Sequence, residues 1–170
     1  SNTIQMYLNG VKVGTAIANY TTSISSTNIG VGGNPNSGNE PFIGYMSDIQ
    51  IIRGAALYTS NFYPDSMPVT PVRYSNNRTD LANTGHSSLL LSGTSGAIID
   101  QSKSLNIETV GDIKLTQFSP YNGNYYSYYF DGTDDYLSIA DSTNLQLGTG
   151  DFTVEGWFKQ IGRAHVWTPV

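Results

Sequence analysis

Hydrophobic and polar residues alternate in short runs along most of this chain, a period of two that belongs to strands. In IQMYLNGVKVG, Ile4, Met6 and Leu8 alternate with Gln5 and Tyr7, and Asn9-Gly10 suits the positive φ angles of a two-residue type I′ turn. Across such a turn Leu8 should face Val11 and Met6 should face Val13, which puts all five aliphatic side chains on one face. The expected element is a hairpin laid on a core by that face. Further strands are predicted over 28–32, 43–53, 88–92, 107–110, 126–131, 136–139 and 152–159, and one helical turn over 55–60. Trp157, in a strand with Phe152, Val154 and Phe158, is expected inside a sandwich. No 3.6-residue apolar period is sustained.

Composition sharpens this picture. Charged residues make up only 12% of the 170, while there are 18 Gly, 19 Ser and 17 Thr, a balance that favours short strands joined by polar turns. There is no Cys, so a disulfide scaffold and thiolate chemistry are excluded. Net charge is −5, and the eight Lys and Arg are scattered, so nucleic-acid binding lacks its electrostatic footprint. No apolar run approaches the roughly 20 residues of a membrane span. Pro64, Pro68 and Pro71 interrupt any continuing sheet, and the polar stretch after them extends the expected linker to 64–86.

Three phrases carry a resemblance: MYLNGVKVG, FIGYMSDIQIIRGAALYTSNF and YYFDGTDDYLSIADSTNLQLGTGDFTVEGWFK. Together they resemble the laminin-G-like, concanavalin A-like jelly-roll family, most of all the tandem copies in bacteriophage virion and tail-fibre proteins. In that family, pieces like YFDGTDDYLSI and DFTVEGWFK come from the first strands, and pieces like MYLNGVKVG from the last. Here the last strands come first. The resemblance therefore implies an all-β, antiparallel jelly-roll sandwich, incomplete, assembled from the C-terminal half of one repeat (1–63) and the N-terminal half of the next (87–160). First and last strands are neighbours in the family, so 152–159 is expected to pair antiparallel with 44–52, placing Ile49 and Ile51 against the same core as Val154 and Phe158. The final residues 161–170 fit no strand of the family. Back-translated, they match a widely used short-read sequencing adapter with an opal stop read as Trp167, and they are expected to be a library artefact carrying no biology.

Two constellations are candidate sites. Asp131, Asp134 and Asp135 stand close together in DGTDD, and clustered carboxylates on a loop can bind Ca²⁺. The spacing fits no EF-hand loop, and in the resembling family this phrase is a turn in which Asp accepts backbone N–H bonds and Gly takes positive φ. The structural reading is preferred, with Ca²⁺ as the only cofactor in view. Tyr121, Tyr125, Tyr126 and Tyr128, with Tyr129, offer aromatic faces edged by hydroxyls, which suit sugar rings. The competing account is strand propensity, since Tyr favours a pleated, half-buried surface. Asp48, flanked by apolar residues in GYMSDIQII, reads as a hydrogen-bonded structural carboxylate.

The expectation for function follows from the family and these sites. It is a non-catalytic module of a phage-type structural or receptor-binding protein, in a virion or extracellular setting. Its partners would be neighbouring copies of the same domain and a cell-surface glycan or protein. An extracellular bacterial adhesion protein or a purely architectural repeat is the alternative. Glucan hydrolases of similar architecture are a weaker one: they need two carboxylates about 5 to 9.5 Å apart, whereas DFTVEGWFK offers only Asp151 and Glu155, without their acidic strand motif.

Overall fold

The computed structural model describes residues 3–17, 28–37, 40–74, 84–103 and 105–162, with the backbone alone at 16–17, 72–74 and 84–86. Eleven strands and no helix occur among them. The chain is all-β and antiparallel, and its two larger sheets form a β-sandwich. One sheet has the order β3 (Asn28–Val31), β10 (Tyr136–Ala140), β7 (Ile107–Val110). The other is built around β4 (Ile43–Arg53), the longest strand. Along one edge of β4, β9 (Ser127–Asp131) pairs with residues 43–46 and β6 (Thr84–Leu91) with residues 49–52, end to end. Beyond them lie β8 (Lys114–Thr116) on β9 and β5 (Val72–Tyr74) on β6. The opposite edge of β4 carries β11 (Phe152–Gln160).

The antiparallel pairing of β4 with β11 is as expected, and its register runs from Phe152 opposite Arg53 to Gln160 opposite Gly44, one residue beyond the expected span at each end. Between Glu155 and Trp157 it slips, because two residues of β4, Asp48 and Ile49, lie opposite the single Gly156. Asp48 takes φ 52° at this bulge. A Cβ on Gly156 would come within 2.6 Å of Ile49 Cδ1, so the glycine makes room for the bulged strand.

The core lies between the two large sheets and draws on both ends of the chain: Val31, Met46, Ile49 and Ile51 pack with Leu89, Leu91, Tyr128, Phe130, Leu137 and Ile139. Gly32, at φ 89°, gives its side-chain space to the Phe130 ring. The other face of the β4 sheet is covered by the chain after β4. Ile52, Ala55 and Leu57 are buried together there, without the helical turn expected at 55–60. Thr153 ties this segment to β11, its hydroxyl accepting from Leu57 N–H (3.0 Å) and donating to the Ala55 carbonyl (2.9 Å).

Three expectations need correction. First, the stretch 64–86 is not simply a linker: Val69 is buried and donates its N–H to Asp48 (3.2 Å), Thr70 C=O accepts from Gln50, and β5 and the start of β6 pair within it. Second, Val154 and Phe158 stand opposite Ile51 and Met46, on the core side as predicted, but remain 58% and 60% exposed. The three-stranded sheet does not extend over the β11 edge. Third, the N-terminal hairpin, β1 (Thr3–Leu8) and β2 (Val11–Ile17), forms a separate two-stranded sheet whose aliphatic face is uncovered, with Met6, Leu8, Val11 and Val13 all more than half exposed. Its turn is as expected, with φ 50° at Asn9 and 77° at Gly10, and Leu8 faces Val11. A shift after Met6 then sets that residue opposite Gly14 instead of Val13. The hairpin docks by its other face: Tyr7 meets Phe62 edge-on (centroids 5.4 Å apart) and Tyr58 (6.5 Å), which stack on each other at 3.6 Å. The predicted artefact lies outside the described residues from 163 onward, His165 and Trp167 included.

Candidate functional site

The tyrosines of 121–129 divide between inside and outside. Tyr128 is 1% exposed and part of the core, its hydroxyl donating to the Ser92 carbonyl (3.2 Å). Tyr121 is also buried, edge-on to Trp157 (6.1 Å) and to Tyr125 (5.9 Å). Alternation along β9 turns Tyr128 into the core and Tyr129 out, where Tyr129 and Phe118 both pack on Tyr45 and Lys159 Nζ sits 4.2 Å above the Phe118 ring. Of the four candidate tyrosines, Tyr125 and Tyr126 keep part of their surface outside. Burial, reinforced by the nearby Asp48 carboxylate, pushes the Tyr121 and Tyr128 phenols far above their ordinary range, so both stay neutral.

Trp157 is half-buried and points to the face opposite Val154 and Phe158, so it is not a core residue of the sandwich. Asp48 is 1% exposed, and its carboxylate accepts from Val69 N–H while Ser47 Oγ lies 2.9 Å away. Desolvation raises its pKa above the ordinary 3.8, partly opposed by those hydrogen bonds.

Asp135 is 1% exposed and accepts two backbone N–H bonds, from Asp112 (2.8 Å) and Asp131 (2.9 Å). Asp131 in turn accepts from Thr133 N–H (2.7 Å) across Gly132 at φ 82°. This is the turn chemistry the structural reading called for. One carboxylate oxygen each of Asp112, Asp131 and Asp135 falls within 4.8 Å of the others, a spacing that could hold a cation. Asp134 is exposed and outside the group, and Asp112 takes its place. Nothing in the local sequence signals Asp112, because the approach of the β7–β8 turn to the β9–β10 turn is made by tertiary structure.

An open groove of about 850 Å³ lies between the N-terminal hairpin and β11. Met6, Leu8 and Val13 line it from the hairpin, and Val154, Trp157 and Phe158 from β11. Tyr58 and Phe62 close one end, and the Tyr58 hydroxyl donates to Glu155 (2.7 Å). Among the described residues, its charged lining residues are Asp48, Asp65, Asp151 and Glu155. Sequence reading missed this groove because it took both apolar faces to be covered.

No protein-family model, no curated protein and no solved structure matches the chain.

Proposed function

We propose that the chain is a non-catalytic β-sandwich module of a larger structural or receptor-binding protein, of the laminin-G-like type and carried in tandem with similar modules on a virion or cell exterior. The observation that supports this is the pairing of β4 with β11, which joins a strand from the first third of the chain to one near its end inside a single core. A sandwich whose first and last strands are neighbours can pass its chain to an adjacent copy without crossing the core, which suits a repeated array. The carboxylates at the best-built acidic positions act as scaffolding: Asp135 holds two turns together, and Asp100 accepts from the backbone of Leu90, Ser102 and Leu105. Adhesion to a glycan or protein would fall to exposed loops and half-buried aromatics such as Tyr125.

A glycan array probed with the intact parent protein tests adhesion, with saturable binding to one glycan class expected and loss of that binding in Tyr125→Ala. Release of reducing sugar from a β-glucan, abolished by Glu155→Gln, would overturn the non-catalytic reading. The intact reading frame should encode further copies of the module beside this one.

A further inference from the structure

The dipeptide Asn-Gly occurs twice in the chain, at Asn9-Gly10 and Asn122-Gly123. In such a pair the backbone nitrogen of the glycine can attack the side-chain amide of the asparagine and close a succinimide ring, because no Cβ on the second residue hinders the approach. Whether the ring forms depends on how freely the backbone can turn to bring the two atoms together. The structure treats the two pairs differently.

Asn9-Gly10 is fastened on every side. It occupies the tight turn between β1 and β2, at φ 50° and 77°, with Leu8 paired to Val11 across it. Gly10 is buried, its C=O accepts from Phe62 N–H (2.9 Å), and Lys12 N–H nearby donates to Asn61 Oδ1 (2.9 Å). Ring closure there requires the turn to open first. Asn122, Gly123 and Asn124, by contrast, are all exposed, and their backbone groups make no hydrogen bond among the described residues. The ends of this tip are nevertheless held: Tyr121 is buried edge-on to Trp157 (6.1 Å), and Tyr126 N–H donates to the Gly93 carbonyl (2.8 Å).

We propose that Asn122 is a site of spontaneous covalent modification, converted to aspartate and isoaspartate in the folded protein while Asn9 is protected. Gly123 N bonds to Asn122 Cγ, the Cγ–Nδ2 bond breaks, and ammonia leaves with the proton that the Gly123 nitrogen gives up. One water then opens the succinimide. Attack at Cγ restores the backbone and leaves aspartate; attack at the backbone carbonyl leaves isoaspartate, with the chain running through the former side chain and lengthened by one methylene. Either product sets a new carboxylate beside Tyr121. The longer one also adds chain between two anchors whose separation suited the shorter, so it loosens the Tyr126 bond to Gly93.

The test is ageing of the whole chain in mildly alkaline buffer, folded and in concentrated urea, with both asparagines followed by peptide mapping and tandem mass spectrometry. In the folded chain Asn122 should convert about tenfold or more faster than Asn9, a factor set by the cost of opening the hairpin turn, and in urea the two rates should be comparable. Equal rates in the folded chain, or faster loss of Asn9, would overturn the proposal. So would an Asn122 that stays intact in the folded chain over a period in which it converts in urea. Hydrogen exchange at the Tyr126 amide should accelerate as the parent ages and stay constant in Asn122→Gln, whose longer side chain closes the ring far more slowly and whose exposed position leaves the fold intact. Unchanged exchange in the aged parent, or equal acceleration in the variant, would overturn the loosening of the anchor.

Discussion

Replacing Thr153 by Val tests whether the two ends of the chain belong to one cooperative body. The side chains are nearly equal in volume, so no cavity opens and the change is confined to the hydroxyl. That hydroxyl is buried, accepts from Leu57 N–H and donates to the Ala55 carbonyl, two bonds that join β11 to the segment after β4. Stripping a buried polar group of its partner costs about 1–3 kcal/mol. The added methyl, at about 0.8 kcal/mol, returns part of this, and a net loss of about 1–5 kcal/mol is expected after both bonds are counted. Urea unfolding followed by fluorescence and by circular dichroism should show one transition in each protein. With a slope of about 2 kcal/mol per molar, the variant midpoint should fall by about 0.5–2.5 M. Hydrogen exchange at the Leu57 amide should accelerate with it. A midpoint within about 0.25 M of the parent would refute the reasoning, as would separate transitions from the two probes.

Asp48→Asn should stabilise the chain at neutral pH and have little effect near pH 3. The folded-state pKa is raised above 3.8, so the stabilising form is the protonated one, fully present below 3.8 and lost as pH rises through the folded value; the check is a pair of urea melts across that range, in which the variant lacks this decline. Asn also tolerates the φ of 52° there. Asp135→Asn should cost about 2–4 kcal/mol in the same melts, because an amide nitrogen replaces one of the two oxygens that receive the Asp112 and Asp131 N–H groups. Gly10→Ala should release the hairpin: φ is 77°, and the new Cβ would come 1.9 Å from the Phe62 carbonyl oxygen. Limited proteolysis should then cut near the hairpin first, with the core fragment left intact.

The strands were legible wherever alternation was long or a turn pair was explicit. Residues 43–53 and 107–110 were bounded correctly, and the antiparallel pairing of β4 with β11 was expected from the resemblance, whereas its register and the bulge at Asp48 were not. The short strands β5 and β8, of three residues each, carry too little period to be seen. Coverage was the harder quantity. Alternation told which side Val154, Phe158 and the hairpin aliphatics would take within their strands, but whether another layer lies over a face depends on the extent of the opposing sheet, which no local pattern records. For the same reason Tyr121 and Tyr128 looked equivalent to Tyr125 in sequence, although the fold buries the first two. The hydrogen-bonded role of Asp48 was readable because a lone carboxylate among apolar residues has few stable arrangements other than hydrogen bonding, and that of the DGTDD turn because its Asp and Gly residues suit a turn, but nothing local marked Asp135 as its buried member.

The position of β4 also governs when the protein can fold. It is bonded to β6, β9 and β11, so each later strand of that sheet must find a template made long before it. Thr153 follows its partner Ile52 by about a hundred residues, which at about 5–20 residues per second leaves β4 with one bare edge for about 5–20 s of synthesis. Closing so long a loop makes the β4–β11 pairing a late and slow event in refolding. Until then, an eleven-residue strand rich in isoleucine is available to any other extended chain, so conditions that delay β11 should favour aggregation through β4.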